Sequence, residues 1–376
     1  MPARILDAAE VRRALEVRDL TDERQGRHAM QLLLQSVVDT LRDAWQCEVV
    51  LDRQSPIVSI ADNYDRLHYP VDGAARDARY SRYVCESALL RTQTSAMIPP
   101  LLRRIAAQPP DDALLVCPGV VYRRDSIDRL HSGEPHQLDV WRVSRREALH
   151  VAHLRRMVAS VVATLLPDRE YRTLAAEHPY TEAGLQIDVR AGQSWIEIGE
   201  CGLALPALLR ENGHAAPASG LAMGLGLDRI LMLRKGIDDI RLLRSTDARI
   251  AAQLADLAPY RPVSGMPPVR RDLSLAVTAE LDVEQLGDRV RGALGTRAEL
   301  IEAVEVLSET AYHALPPAAI QRLGMSPGQK NVLVRVVLRA LDRTLTHAEC
   351  NALRDEIYAV LHCGSRSEWA TSVLAR

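Results

Sequence analysis

Three segments of this chain gather side chains able to act on charged groups. In GVVYRRDSIDRLHSGEPHQLD (119–139), Arg123 and Asp125 stand two apart on what reads as a strand. That spacing would put both on one face of a sheet. A dense set of Arg, Asp, His and Gln follows in a loop that returns to a second strand. GLGLDR (224–229) sets two glycines before Asp228 and Arg229 at a strand–helix junction, and LLRTQTS (89–95) adds hydroxyls, an amide and a cation. The chemistry such groups fit is the binding of phosphate, which the planar guanidinium fork matches. Taken singly, each cluster also fits a surface ion pair or an ordinary turn. Arg carries nearly all the positive charge, the lysines being Lys235 and Lys330. GC-rich coding accounts for that bias at least as well as phosphate binding does.

The elements that must position these groups are legible in outline. Helical spacing of apolar residues over 24–45 predicts an amphipathic helix, and CEVVLD (47–52) a strand. Residues 56–83 read as loop. ALLVCPGVVYRRD (113–125) reads as two β-rich stretches broken at Pro118-Gly119, and QLDVWRVS (137–144) as a strand. A helix over 147–166 stops at Pro167. A hairpin over 185–202 turns at Ala191-Gly192, and 221–236 begins as strand and ends as helix. Strands with few helices between them predict a mostly antiparallel sheet with flanking helices, an α+β fold. APYRPVSGMPP holds four prolines and a glycine and predicts a linker over 257–269. Beyond it the order β-α-β-β-α-β, with Thr346 as an N-cap and a closing strand near TSVL, is that of a ferredoxin-like domain. The expected domains are therefore 1–256 and 270–376.

A length of 376 residues, 47% hydrophobic and 26% charged, gives a soft prior of two or three globular domains. No apolar run approaches the roughly 20 residues that span a bilayer, and the N-terminal segment does not read as a secretory signal. Six scattered cysteines without a C-x-x-C pair point to reduced thiols and a cytoplasmic location. A net charge of −2 means that a nucleic acid would have to be held by local basic patches.

In this order and spacing the clusters resemble the alpha subunit of phenylalanyl-tRNA synthetase, a class II aminoacyl-tRNA synthetase. VYRRDSIDRLHS with PHQLD looks like motif 2 of that class, and GLAMGLGLDRILMLRKGIDDIRLL (220–243) like motif 3 and beyond. NYDRLHYPVDGAARD (63–77), HPYTEAGLQIDV (178–189) and WIEIGECGLALPALLRENG resemble further parts of the catalytic domain. VRRDLSLAV and GQKNVLVRVVLRALDRTLT are similar to its ferredoxin-fold anticodon-binding domain, here fused directly as in single-chain organellar enzymes. The resemblance implies ATP and Mg²⁺, an amino acid and tRNA as partners, no beta subunit, and a monomer or homodimer. By the same resemblance Arg123 would contact the α-phosphate, Arg229 the γ-phosphate, and His131 would lie near the phosphates. Asp125 and Asp228 would orient these groups, and Pro135 stands where adenine is stacked. Ser95, Gln137 and Asp139 would receive the substrate ammonium group. Gln93, His178, Tyr180 and Ala222 would complete the amino-acid pocket. Arg270, Arg271, Lys330 and Arg343 are candidate RNA contacts, a solvated charged face being as good a reading of them. The sequence leaves the ligands of any metal open.

Departures cluster at the substrate. His178-Pro179-Tyr180 stands where the family has Phe-Pro-Phe, and Pro135 and Met223 also replace Phe. Gln93 replaces His, Ile98 replaces Gln, Asp139 replaces Glu, and Ala183-Gly184 replaces Pro-Ser. The chain has no Phe at all. Avoidance of Phe explains Tyr180 and Met223 but not Gln93 or Ile98. A changed substrate, such as a hydroxylated aromatic amino acid, explains polar atoms in the pocket. A Phe-free synthetase could be translated when Phe-tRNA is scarce. Two rival readings are an activating paralogue that supplies a carrier protein or a biosynthetic pathway, and a non-catalytic RNA-binding paralogue.

Overall fold

The computed structural model describes residues 4–76, 81–124, 126–263, 267–341 and 343–366. Two compact units divide the chain, and neither is continuous in sequence. The first comprises 1–123, 134–237 and 252–260; the second comprises 124–133, 238–251 and 261–376. Among the described residues no helix is long and apolar enough to cross a membrane.

A seven-stranded sheet organises the first unit. Its strands are β1 (Glu48–Leu51), β2 (Asp112–Val120), β3 (His136–Ser144), β4 (Tyr171–Ala175), β5 (Thr181–Ala191), β6 (Ser194–Ala204) and β7 (Ser219–Gly226). Their spatial order is β1-β2-β3-β7-β6-β5-β4. Only β1 pairs in parallel; every other neighbour is antiparallel. Helix α1 (Ala29–Trp45) buries Met30, Leu33, Leu34, Val37, Val38 and Leu41, the stripe expected of a helix with one face on a core. It starts at Ala29, not at 24, because His28 and Gln31 close a capping box there. Helix α2 (Val151–Leu165) and helix α3 (Leu227–Lys235) complete the set that flanks the sheet. Buried Lys235 ends α3 by donating to the carbonyls of Asp256 (2.8 Å) and Ala258 (2.5 Å), which ties the start of the expected linker to this unit.

Three local expectations need correction. Strand β2 runs unbroken through Pro118-Gly119. Gly119 is tolerated because a side chain there would collide with Arg91, whose Nη2 lies 2.1 Å from the place of a Cβ. Buried Arg91 itself donates to the Val120 carbonyl at 2.8 Å. Secondly, β2 ends at Val120, so Arg123 is not on the strand; Asp125 lies outside the described residues. Lastly, 56–83 is not all loop. Ile57–Ser59 and Arg82–Cys85 flank Ala88–Leu90 in a small antiparallel sheet, with a helical turn at Ile60–Asn63. Strands of three or four residues are too short to show a period.

In the second unit β8 (Val269–Thr278), β9 (Ile301–Ala311) and β10 (Gln329–Leu338) form an antiparallel sheet in the order β8-β10-β9. Leu273, Leu275 and Val277 alternate onto one face with Val332, Val334 and Val336. Against them pack Leu286 and Val290 of α4 (Val283–Leu294) and Leu353, Ile357 and Leu361 of α5 (His347–Leu361). Thr346 and Glu349 cap α5 reciprocally, as its sequence predicts. The loop expected between β9 and β10 contains a further helix, Pro317–Leu323. The expected closing strand near TSVL falls outside the described residues.

Candidate active site

Residues directly opposite on antiparallel strands point to the same face of a sheet. On the seven-stranded sheet this rule builds a row from strand to strand: Cys117 beside Asp139, Asp139 beside Gly224, Gly224 beside Glu200, and Glu200 beside Gln186. A second row on that face sets Leu115, Trp141, Ala222 and Gly202 side by side. Glycines and an alanine form the floor, and the larger side chains form walls.

Asp139 is the best-defined member. It is buried, and accepts from Thr94 Oγ1 (2.7 Å), Ser95 Oγ (3.0 Å) and Trp141 Nε1 (3.1 Å). Burial raises its pKa, and these hydrogen bonds oppose that rise. The hydroxyls of the LLRTQTS cluster therefore meet the carboxylate of PHQLD, an encounter across more than forty positions. Gln137 joins them, its Oε1 accepting from the Thr94 backbone N–H at 3.3 Å.

Aromatic side chains wall the same pocket. Tyr180 stacks on Trp141 (centroids 6.0 Å, planes 18° apart) and tilts against Tyr69 (6.1 Å) and His178 (5.7 Å). The Tyr180 hydroxyl lies 3.5 Å from Ser95 Oγ, and burial pushes its pKa well up. Burial pushes the Tyr69 phenol up to about 12; that hydroxyl donates to Gln93 Oε1 at 2.9 Å, while Gln93 Nε2 donates to the Asn63 carbonyl. Ala222 is buried beneath this wall. His178 Nε2 meets Glu200 Oε2 at 2.5 Å, and that carboxylate raises the His178 pKa.

A β-bulge presents the His178–Tyr180 turn. The β5–β6 register shifts between Glu182 and Leu185, and Ala183 takes a positive φ of 50°. Gly184 is required there, since its Cβ would stand 2.3 Å from the Ala176 carbonyl oxygen. Bulges beside functional sites re-aim side chains in this way.

The two expected phosphate ligands are each held by a backbone carbonyl. Arg229 Nη1 donates to the Glu197 carbonyl at 3.2 Å; burial and then Glu200 raise the pKa of the Glu197 carboxyl, with Arg229 and Arg123 opposing the rise. Arg123 is exposed, its Nε donating to the Thr92 carbonyl at 2.9 Å. Pro135 is half-buried, and its carbonyl accepts from the Val121 N–H.

Other expected members sit elsewhere. Buried Asp228 accepts from the backbone N–H of His136 (2.5 Å) and meets its Nδ1 (3.1 Å), while His136 Nε2 accepts from the Leu20 N–H. Asp228 thus ties α3 to β3. His131 meets Asp128 at 2.7 Å, both residues belonging to the second unit. Also in the second unit, Arg271 reaches Asn351 and His347, Lys330 meets Glu309 at 2.7 Å and Arg343 meets Glu349 at 2.8 Å. Arg270 is exposed.

Sequence reasoning gave no role to Glu197, Glu200, Trp141 or Tyr69. WIEIGECG stood out as a segment, but which of its acids shares a face with Asp139 depends on strand pairing.

Comparison with known proteins agrees with this architecture. The family model for the tRNA synthetases class II core domain (F) matches residues 15–254. The phenylalanine--tRNA ligase alpha subunit of Prochlorococcus marinus (strain MIT 9313) is 38% identical over 192 residues, 51% of this chain and 56% of that protein. The chain thus spans about half the length of that relative. The chloroplastic/mitochondrial phenylalanine--tRNA ligase of Arabidopsis thaliana is 26% identical over 348 residues, covering 89% of this chain and 76% of the relative. A solved pyrrolysyl tRNA synthetase from Desulfitobacterium hafniense overlays 58% of the chain and 73% of its own at a TM-score of 0.43 and 17% identity. With the model match extending through the small antiparallel sheet, all seven strands of the large one and α3, this chain belongs to the class II tRNA synthetase core family.

Proposed function

We propose that this protein joins an amino acid to ATP as an aminoacyl-adenylate and passes the acyl group to tRNA. The substrate is phenylalanine or a related aromatic amino acid, and the tRNA is that for phenylalanine. The observation that carries this reading is the buried carboxylate of Asp139, anchored on the face of the sheet that Tyr180 and Trp141 wall. Asp139, fixed by Thr94, Ser95 and Trp141, offers charge to an ammonium group. Arg123 and Arg229, each held by a backbone carbonyl, would offer charge to phosphates.

In the reaction an oxygen of the substrate carboxylate bonds to the α-phosphorus as the bond to the bridging oxygen breaks and pyrophosphate leaves. Negative charge builds on the phosphoryl oxygens, and fixed cations beside them lower the barrier. Arg123 would serve the α-phosphate and the substrate carboxylate, and Arg229 the γ-phosphate. Mg²⁺, when bound, would offset further phosphate charge. No cluster of three or more metal-ligating side chains exists among the described residues.

The second unit, ferredoxin-like in this reading, would meet the tRNA, and the protein would work in the cytoplasm without a beta subunit. Its freedom from Phe fits a synthetase made when phenylalanine is scarce. A second reading, acyl transfer to a carrier protein, is favoured by one observation: Lys330 and Arg343 are already paired with carboxylates. ATP–pyrophosphate exchange across a panel of aromatic amino acids, followed by acylation of total tRNA, tests both. Exchange with tRNA charging supports the first reading, and exchange without it the second. No exchange with any amino acid removes both.

A further inference from the structure

Asp139 and Glu200 are not sequence neighbours, yet they belong to one row of the sheet with Gly224 between them. Two strand spacings set their backbones roughly 9.6 Å apart. Gly224 contributes no side chain to that gap; a Cβ there would come within 3.7 Å of Asp139 Oδ2, so the aspartate leans over it. Tyr180, lying on Trp141, closes the side of the gap above the next row. The result is a flat trough with an anchored carboxylate at one end and a second carboxylate at the other.

The two ends differ in what they still lack. Asp139 has donors on both oxygens from Thr94, Ser95 and Trp141. Glu200 uses Oε2 on His178, while Oε1 accepts no hydrogen bond among the described residues. A plain phenyl ring lying in the trough would press a non-donating edge against that oxygen and strip its water without replacement, which costs free energy. A ring hydroxyl would donate to Glu200 Oε1 and restore the lost bond. We propose that the trough selects an aromatic amino acid bearing a ring hydroxyl, with its α-ammonium on Asp139 and its hydroxyl on Glu200. His178 is a positioning residue that holds Glu200 through Oε2. The inference rests on the activation reading above and deepens it.

Exchange kinetics on the full chain test it, with phenylalanine, tyrosine and meta-hydroxyphenylalanine as probes. One of the two hydroxylated substrates exceeds phenylalanine in kcat/KM by about tenfold or more, as expected of a site built to bond a hydroxyl. Glu200→Ala collapses that ratio by about tenfold, and Glu200→Gln, which keeps the shape and a weaker acceptor, falls between. His178→Phe lowers the same ratio and removes its dependence on pH, an effect that a purely structural role for His178 would not produce. Thermal melts of each variant show whether it is folded, and the wild-type ratio stands as a test without any variant. A wild-type preference for phenylalanine, or a ratio untouched by Glu200→Ala, overturns the proposal and leaves activation intact. Exchange with no amino acid overturns activation itself and this proposal with it.

Discussion

Two arginines of the first unit, Arg123 and Arg229, keep different company from four basic residues of the second. In the first, Arg123 and Arg229 hydrogen-bond to backbone carbonyls, those of Thr92 and Glu197. A carbonyl orients a guanidinium without cancelling its charge. In the second, carboxylates take the basic groups: Arg335 with Asp272, Arg343 with Glu349, Lys330 with Glu309 and Arg297 with Glu356. An acid, by contrast, offsets part of the charge it meets. In the four pairs of the second unit each cation stands beside an acid.

The comparison can be broken or sharpened by experiment, from the largest effect to the smallest. Arg123→Ala and Arg229→Ala should each slow ATP–pyrophosphate exchange by about 100-fold or more, the scale of losing one fixed donor to a charged transition state. Retained activity in both would show that neither guanidinium is aimed at phosphate. Asp139→Asn should raise the KM for the amino acid by about tenfold to 100-fold, since hydrogen bonds to ionised groups contribute about 1.5–3 kcal/mol. A change confined to kcat would contradict its role in binding. Gly119→Ala should destabilise the first unit by about 1–3 kcal/mol in urea titrations, the usual result of forcing a side chain into filled space. An unchanged midpoint would mean that Arg91 has room to move.

A pH experiment probes the His178–Glu200 pair. The Glu200 carboxylate raises the folded pKa of His178 above its ordinary 6.5. The pair's contribution is therefore complete below that value and lost as pH rises through the folded pKa. Glu200, Asp139 and Glu197 all act in this direction on His178, with burial opposing them. A wild-type advantage in stability over His178→Phe should shrink with rising pH; growth instead would reverse the sign assigned here. The smallest effect belongs to the second unit. Lys330→Ala and Arg343→Ala should each change tRNA affinity by less than about threefold, since exposed ion pairs contribute little either way. A drop of about one in the salt-dependence slope for either variant would instead mark a phosphate contact.

Much of this was legible in the residues. Alternation and helical spacing disclosed β3, the β5–β6 hairpin, β7 with α3, and the β-α-β-β-α run of the second unit. The small sheet at 57–90 was hidden because its strands are shorter than one readable period. The break assigned to Pro118-Gly119 failed because composition marks a turn there, whereas the distant Arg91 guanidinium fills the space beside an extended glycine. Asp228 seemed a site residue by its neighbour Arg229. What the sequence did not disclose is that its carboxylate meets the backbone N–H and imidazole of His136, ninety-two positions away.

The sequence by itself determined residue types, local periods and capping. By resemblance it also set apart the segments that hold Arg123, Arg229, Ser95 and Asp139 as those expected to meet phosphate and ammonium groups. Tertiary structure alone decided which of these face one another, because the pairing of distant strands sets which side chains share a face. Strand register put Glu200 opposite Gly224 and in line with Asp139, and the bulge at Ala183-Gly184 set His178 against Glu200. No local period carries that information, since shifting one strand by a single residue would have turned Glu200 to the other side of the sheet.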